Sequence, residues 1–226
     1  MQQNIQGVME HCDRLNQNIH DISTLYLASE AGAKLLERLE IPEGFDLEMH
    51  MSDNFHVSAT TIRTPAEVLA LYGSGEYARL NAYQTVVSLC SVFEVWSESV
   101  LNLVGAQKKK KPLVVVSSRR QNQSVTIRTG ALCNVSAIHE ACDVESQLIT
   151  NSALCWIYNF FVLRNAIVHE SGLITTQVRQ RLVGKWRKQS VGERISLEGN
   201  DIDDMVHFLQ LNVGAFRYKF LERWDG

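Results

Sequence analysis

The sequence predicts an all-α helical bundle with a short β-hairpin or extended insert near residues 113–128. Three observations predict it. Apolar residues recur at helical spacing, most plainly Ile19, Ile22, Leu25, Tyr26, Leu35, Leu36 and Leu39. The 226 residues contain only three prolines, Pro42, Pro65 and Pro112, each where a helical pattern stops or starts. Paired β-branched runs stand out at one place: Val114-Val115-Val116 and Val125-Thr126-Ile127, flanking a polar stretch.

Taken in order, residues 8–39 read as a long helix, broken near Gly32 and ending before Pro42 and Gly44. Residues 43–64 are polar and poorly periodic and read as a loop. Thr64-Pro65-Ala66-Glu67 places a capping Thr, a first-turn Pro and a Glu at the third helical position, a good helix start. That short helix stops at Gly73-Ser74-Gly75. A strong helix follows over 76–104, ending at Gly105 and a run of lysines. A short helix is expected over 136–142, then a long one from 145 to about 169, closed by Gly172. Residues 175–182 look helical, with basic side chains within and just after them. Residues 195–197 are a short extended piece. The last helix spans 201–224, where Asp201, Asp203 and Asp204 complement the dipole at its start. The length fits a single domain, with an N-terminal helical extension over about 1–75 and a core over about 76–226.

Bulk properties exclude several classes. The hydrophobic fraction of 45% and charged fraction of 21% are ordinary for a soluble globule. The net charge of -3 and pI near 6.2 mean that any nucleic-acid binding must come from a local patch. The five cysteines are an odd, scattered set without a Cys-x-x-Cys, which argues for a reducing compartment. The start of the chain lacks the basic and apolar regions of a secretory signal. The most apolar stretch, 153–163, is interrupted by Asn159 and too short to span a bilayer. A cytoplasmic protein without a membrane partner is therefore expected.

The chemistry concentrates in Arg164-Asn165-Ala166-Ile167-Val168-His169, at the end of a very apolar helix. Asn165 and His169 are four apart and share a helix face. Arg164 and His169 lie about 140° apart around an ideal helix, a gap that a long arginine side chain can close. A cation, an amide and an imidazole at one place suit RNA cleavage without a metal. Histidine can take the proton of a 2′-hydroxyl near neutral pH. Arginine's planar fork matches the oxygens of the developing phosphorane. One histidine cannot be base and acid in the same step, so a homodimer with a composite site is expected.

This segment, with Asn directly after the Arg and a Gly after the His, resembles the Arg-x(4–6)-His motif of the HEPN superfamily (higher eukaryotes and prokaryotes nucleotide-binding). The helix over 76–104, with an acidic residue in Val92-Phe93-Glu94-Val95-Trp96, and the tail Gly192-Glu193-Arg194-Ile195-Ser196-Leu197 before a long helix are also similar to that family. The resemblance covers roughly residue 76 onward. It implies a compact helical bundle and a metal-independent endoribonuclease that works as a dimer on RNA, with Arg164, Asn165 and His169 as catalytic residues. It also implies a setting in toxin–antitoxin, defence or RNA-processing systems, and so an antitoxin as a candidate partner. Some members instead bind nucleotides or regulate a partner without cutting RNA, and that alternative stays open. So does a structural reading, in which Arg164 pairs with an acid and His169 caps the last carbonyls of its helix.

Other residues carry competing readings. Glu94 would orient Arg164 or His169, or form a surface ion pair. Lys108, Lys109, Lys110 and Lys111, with Arg119 and Arg120 (and Arg128 nearby), would steer an RNA backbone, or be a solvated loop. Cys133, His139 and Cys142 offer three ligands where a structural zinc wants four, so no metal is expected. No phosphate loop, nucleophile elbow or paired-carboxylate constellation occurs, and no cofactor is implied.

Overall fold

Helices dominate the computed structural model, which describes residues 2–36, 38, 47–52, 58–63, 65–106, 114–118, 123–127, 130–144 and 151–224. The elements are α1 (Gln2–Leu36), β1 (Leu47–Ser52), β2 (Ser58–Arg63), α2 (Pro65–Gly73), α3 (Glu76–Leu103), β3 (Val114–Ser118), β4 (Gln123–Ile127), α4 (Ala131–Ala141), α5 (Asn151–His169), α6 (Thr176–Arg181) and α7 (Gly199–Trp224). A 3-10 turn, Gly184–Lys188, lies between α6 and α7.

The chain divides into two compact units, Met1–Ser23 with Ala82–Gly226, and Thr24–Asn81. The first 23 residues thus group with the larger unit, whereas the sequence places them in an extension reaching about residue 75.

The larger unit is built on apolar stripes. Val8, Cys12, Leu15 and Ile19 of α1 recur every three or four residues and are buried. Met205, Leu209, Val213, Phe216 and Phe220 do the same on α7. Between them the Phe93 and Trp96 rings of α3 meet at a tilt, 5.3 Å apart, and Trp96 meets Phe216 edge-on at 6.0 Å. Among the described residues α3 is the one helix long and apolar enough to cross a membrane. In this fold it is a core helix, with Val86, Leu89, Cys90 and Phe93 fully buried.

Helix ends follow from local chemistry. At the end of α3 the Ala106 N–H reaches the Leu101 carbonyl, 3.1 Å, and Gly105 N–H reaches Asn102, 3.2 Å. This is a Schellman closure with Gly105 at φ 66. α4 closes the same way, with Asp143 in the left-handed conformation at φ 51. α4 begins five residues before its expected start at 136, because Ala131, Leu132, Cys133 and Val135 are buried. No side-chain cap marks that start. α1 continues through Gly32 to Leu36 rather than breaking there.

In the smaller unit, residues 43–64 are not simply a loop. β1 and β2 pair antiparallel, Leu47 opposite Arg63 and Met49 opposite Thr61. The period-two signal is in the sequence: Leu47, Met49 and Met51 alternate with Glu48, His50 and Ser52. Within the same unit Asn81 donates to Glu30 at 2.9 Å, and Ser29 bonds to Tyr77 through their hydroxyls. The hairpin expected near 113–128 forms as β3–β4, Val114 opposite Ile127, and β3 lies beside α5 and α4.

Candidate functional site

α5 carries Arg164, Asn165 and His169. Its interior face is apolar: Ile157, Phe160, Leu163 and Ala166 are buried, and Phe161 meets Phe93 of α3 at 6.3 Å. One polar residue sits inside that face. Asn159 is buried, accepts from the Val183 N–H at 2.8 Å, and donates to the Val183 and Cys155 carbonyls at 3.0 and 2.7 Å. The amide thus completes the backbone of a buried residue beyond α6, which otherwise has no ladder partner.

Packing of α5 on α3 puts Arg164 against Glu94. Nη2 of Arg164 bonds Glu94 Oε2 at 3.1 Å, and Nη1 bonds Asn165 Oδ1 at 3.0 Å. The arginine side chain is 25% exposed and the glutamate 36%, so the pair lies at the rim of the core. Nε of Arg164 is buried without a hydrogen-bond partner. One turn before Glu94, burial pushes the Cys90 thiol far above its ordinary value, with Arg164 lowering it and Glu94 raising it. The two charges therefore stand close to a dry interior.

His169 is the last residue of α5 and is exposed. Among the described residues its side chain makes no hydrogen bond or ion pair, either to the Asn165 side chain or to its helix's carbonyls. Of the expected site residues, Glu94, Arg164 and Asn165 come together, and His169 stands apart at the helix end. Glu94 meets the arginine and not the histidine. Lys108, Lys109, Lys110, Lys111, Arg119, Arg120 and Arg128 lie outside the described residues.

The turn after His169 is rigidly made. Ser171 and Gly172 have φ of 53 and 75, and the Leu173 N–H reaches the Glu170 carbonyl at 3.0 Å, the pattern of a type I′ turn. Gly172 N–H returns to Ala166 at 3.0 Å, and its carbonyl accepts from Ile195 at 2.8 Å. The Tyr83 ring of α3 lies on Gly172: a Cβ there would stand 2.7 Å from Oη and 2.8 Å from Cζ. Tyr83 Oη also donates to the Ile195 carbonyl at 2.8 Å. The end of α5 is thus held from both sides, a coupling the sequence suggests only through Gly172.

α4 holds Cys133 and His139, and Cys142 caps its end; all three are buried. The His139 ring stacks on Phe216 at 5.6 Å, its Nε2 lacks a partner, and burial pulls its pKa down to about 4. Among the described residues no group of three or more His, Cys, Asp or Glu is placed to hold a metal.

The lysine run at 108–111 is not the only concentration of positive charge in the sequence. Among the described residues another concentration is plain: Arg179, Arg181, Lys185, Arg187, Lys188 and Arg194, against Glu193 alone. Counting charges in a window finds it; periodicity hides it, because Arg179, Arg181, Lys185, Arg187 and Arg194 each neighbour a buried core residue. The chain matches no family model, no curated protein and no solved structure.

Proposed function

We propose that the protein is a metal-independent endoribonuclease of HEPN type, acting as a toxin or defence effector from a site shared by two copies of the chain. The observation that carries the reading is the Arg164 guanidinium, fixed by Glu94 and Asn165 on the half-exposed flank of α5, five residues before exposed His169. A fixed cation costs little reorganisation when phosphorane charge develops. Two of the five guanidinium N–H donors are engaged, which leaves donors for phosphate oxygens.

His169 takes the proton from the 2′-hydroxyl. The 2′-oxygen bonds to phosphorus, the bond from phosphorus to the 5′-oxygen breaks, and His169 of the second copy protonates that oxygen. The products are a 2′,3′-cyclic phosphate and a 5′-hydroxyl. Asn165 positions the arginine and, with it, the scissile phosphate; Glu94 is a positioning residue.

The test is incubation of the purified protein with RNA in EDTA, beside Arg164→Ala and His169→Ala, with the association state measured by light scattering. Cleavage that resists EDTA and is lost in both variants is expected, from a dimer. Cleavage that persists in either variant, or a monomer that cleaves, sinks the reading. The Arg164–Glu94 pair also favours a second reading, a non-catalytic nucleotide- or partner-binding protein, since the pair already neutralises the arginine's charge. Nucleotide binding lost in Arg164→Ala, without any cleavage by the parent protein, would establish that alternative.

A further inference from the structure

We infer that residues 173–195 form the docking surface for the backbone of single-stranded RNA, an inference that rests on the ribonuclease reading and extends it. This segment holds six of the chain's 22 Lys and Arg residues and one of its 25 Asp and Glu residues, in a protein of net charge -3. Its two ends meet. Leu173 and Arg194 form an antiparallel bridge, Ile174 N–H reaches the Glu193 carbonyl at 2.9 Å, and Gly192 N–H reaches Ile174 at 2.9 Å. The chain between is a closed lobe.

The inner side of the lobe is apolar: Ile174, Val178, Leu182, Val183 and Trp186 are buried. All six cationic side chains are left exposed. Two have structural partners. Lys185 pairs with buried Asp201 at 2.7 Å and lies 4.2 Å over the Trp156 ring. Arg181 stands by the Tyr158 hydroxyl and lowers a pKa that burial raises. Among the described residues, Arg179, Arg187, Lys188 and Arg194 have no ion-pair partner.

Like charges grouped without counter-charges repel, and the lobe's closure and the Asn159 clamp hold them in place despite that repulsion. A polyanion relieves it. The lobe begins four residues after His169, so a strand laid along it leads to the end of α5. A single strand fits better than a duplex, because its nucleotides can be splayed out to present a 2′-hydroxyl and its phosphate, whereas an A-form helix keeps them stacked.

The experiment measures anisotropy of a labelled 2′-O-methyl oligouridylate, which cannot be cleaved, against the full chain over about 50 to 200 mM salt. The variant Arg179→Gln/Arg187→Gln/Lys188→Gln/Arg194→Gln is compared with Arg14→Gln/Lys34→Gln, which removes exposed cations elsewhere. Each single-strand phosphate contact contributes about 0.7 to the log–log salt slope, so the fourfold variant should flatten the slope by about 3 and weaken binding by about two orders of magnitude. The control should stay within about twofold. Because the four side chains are exposed, the melting temperature should hold. If it falls, the paired variants Arg179→Gln/Arg194→Gln and Arg187→Gln/Lys188→Gln should each remove about half the slope change.

Equal binding by parent and variant, an equal loss in the control, tighter binding of a duplex, or binding to phosphatidylserine vesicles but not to the oligonucleotide would each overturn the proposal. The ribonuclease reading fails separately. Binding that depends on the lobe, with no cleavage of unmodified oligouridylate, would sink the nuclease and leave the docking surface standing. Cleavage unaffected by the lobe variant, with unchanged affinity, would sink the surface alone.

Discussion

Replacing Gly172 by alanine loads two penalties on the turn after α5. At φ 75 the backbone sits in the left-handed region, which costs a residue with a Cβ about 1–2 kcal/mol. The new Cβ would also stand 2.8 Å from Cζ of Tyr83, so the ring must move, and overpacking of that kind costs about 1–3 kcal/mol. Displacing the ring breaks the 2.8 Å hydrogen bond from Tyr83 to the Ile195 carbonyl, worth about 1 kcal/mol. Together these predict a loss of about 3–6 kcal/mol, which for a chain of this size lowers the melting temperature by at least roughly 10 °C. A urea titration read by far-UV circular dichroism measures it. In a Tyr83→Ala background the steric part disappears, and Gly172→Ala should then cost only the backbone part, about 1–2 kcal/mol. A cost below about 1 kcal/mol in the parent, or the same cost in both backgrounds, would refute this account of the turn.

Glu94→Ala should cost only about 1 kcal/mol of stability, since the ion pair is at the rim, yet, on the proposed ribonuclease reading, lower kcat at least about tenfold with KM little changed; steady-state cleavage assays decide it. Asn159→Ala should lose about 3 kcal/mol in chemical denaturation, because the Val183 N–H and carbonyl would both be buried without a partner. His139 titrates near 4 when folded and near 6.5 when unfolded, so the unfolded chain takes the proton first. Stability is then greatest above about pH 6.5 and falls by about 3 kcal/mol on acidification through pH 4. His139→Phe, which keeps a ring against Phe216, should flatten that part of the stability–pH curve.

The long helices were legible because burial imposes its period on them. Val8, Cys12, Leu15 and Ile19 announce one face, and Gly105 and Gly172 announce two ends. The Arg164–Glu94 contact was half legible: an acid in an apolar helix needs a partner, but only packing decides which cation it meets. α4 was misplaced because nothing caps its start. The β1–β2 hairpin was missed although its first strand alternates cleanly, because Glu, His and Ser on the other positions dilute the apolar signal. Asn159 read as a defect in an apolar helix. Its purpose lies 24 residues away at Val183, a distance that no local pattern reports. Arg164 and His169 looked like one cluster on paper. In the folded chain Arg164 turns to Glu94 and Asn165, while His169 stands exposed at the helix end.

The bridge between Leu173 and Arg194 has a consequence for how such a protein can diversify. Both ends of the lobe leave and return at one place, and its buried side chains and the Val183 backbone are tied to α5, so only changes confined to its exposed positions leave α5 and α7 undisturbed. The lobe behaves as a cassette. On the docking proposal above, its exposed cations can be redrawn to suit a different nucleic acid while Arg164 and His169 keep their places on the helix, and preference would then vary independently of the proposed chemistry.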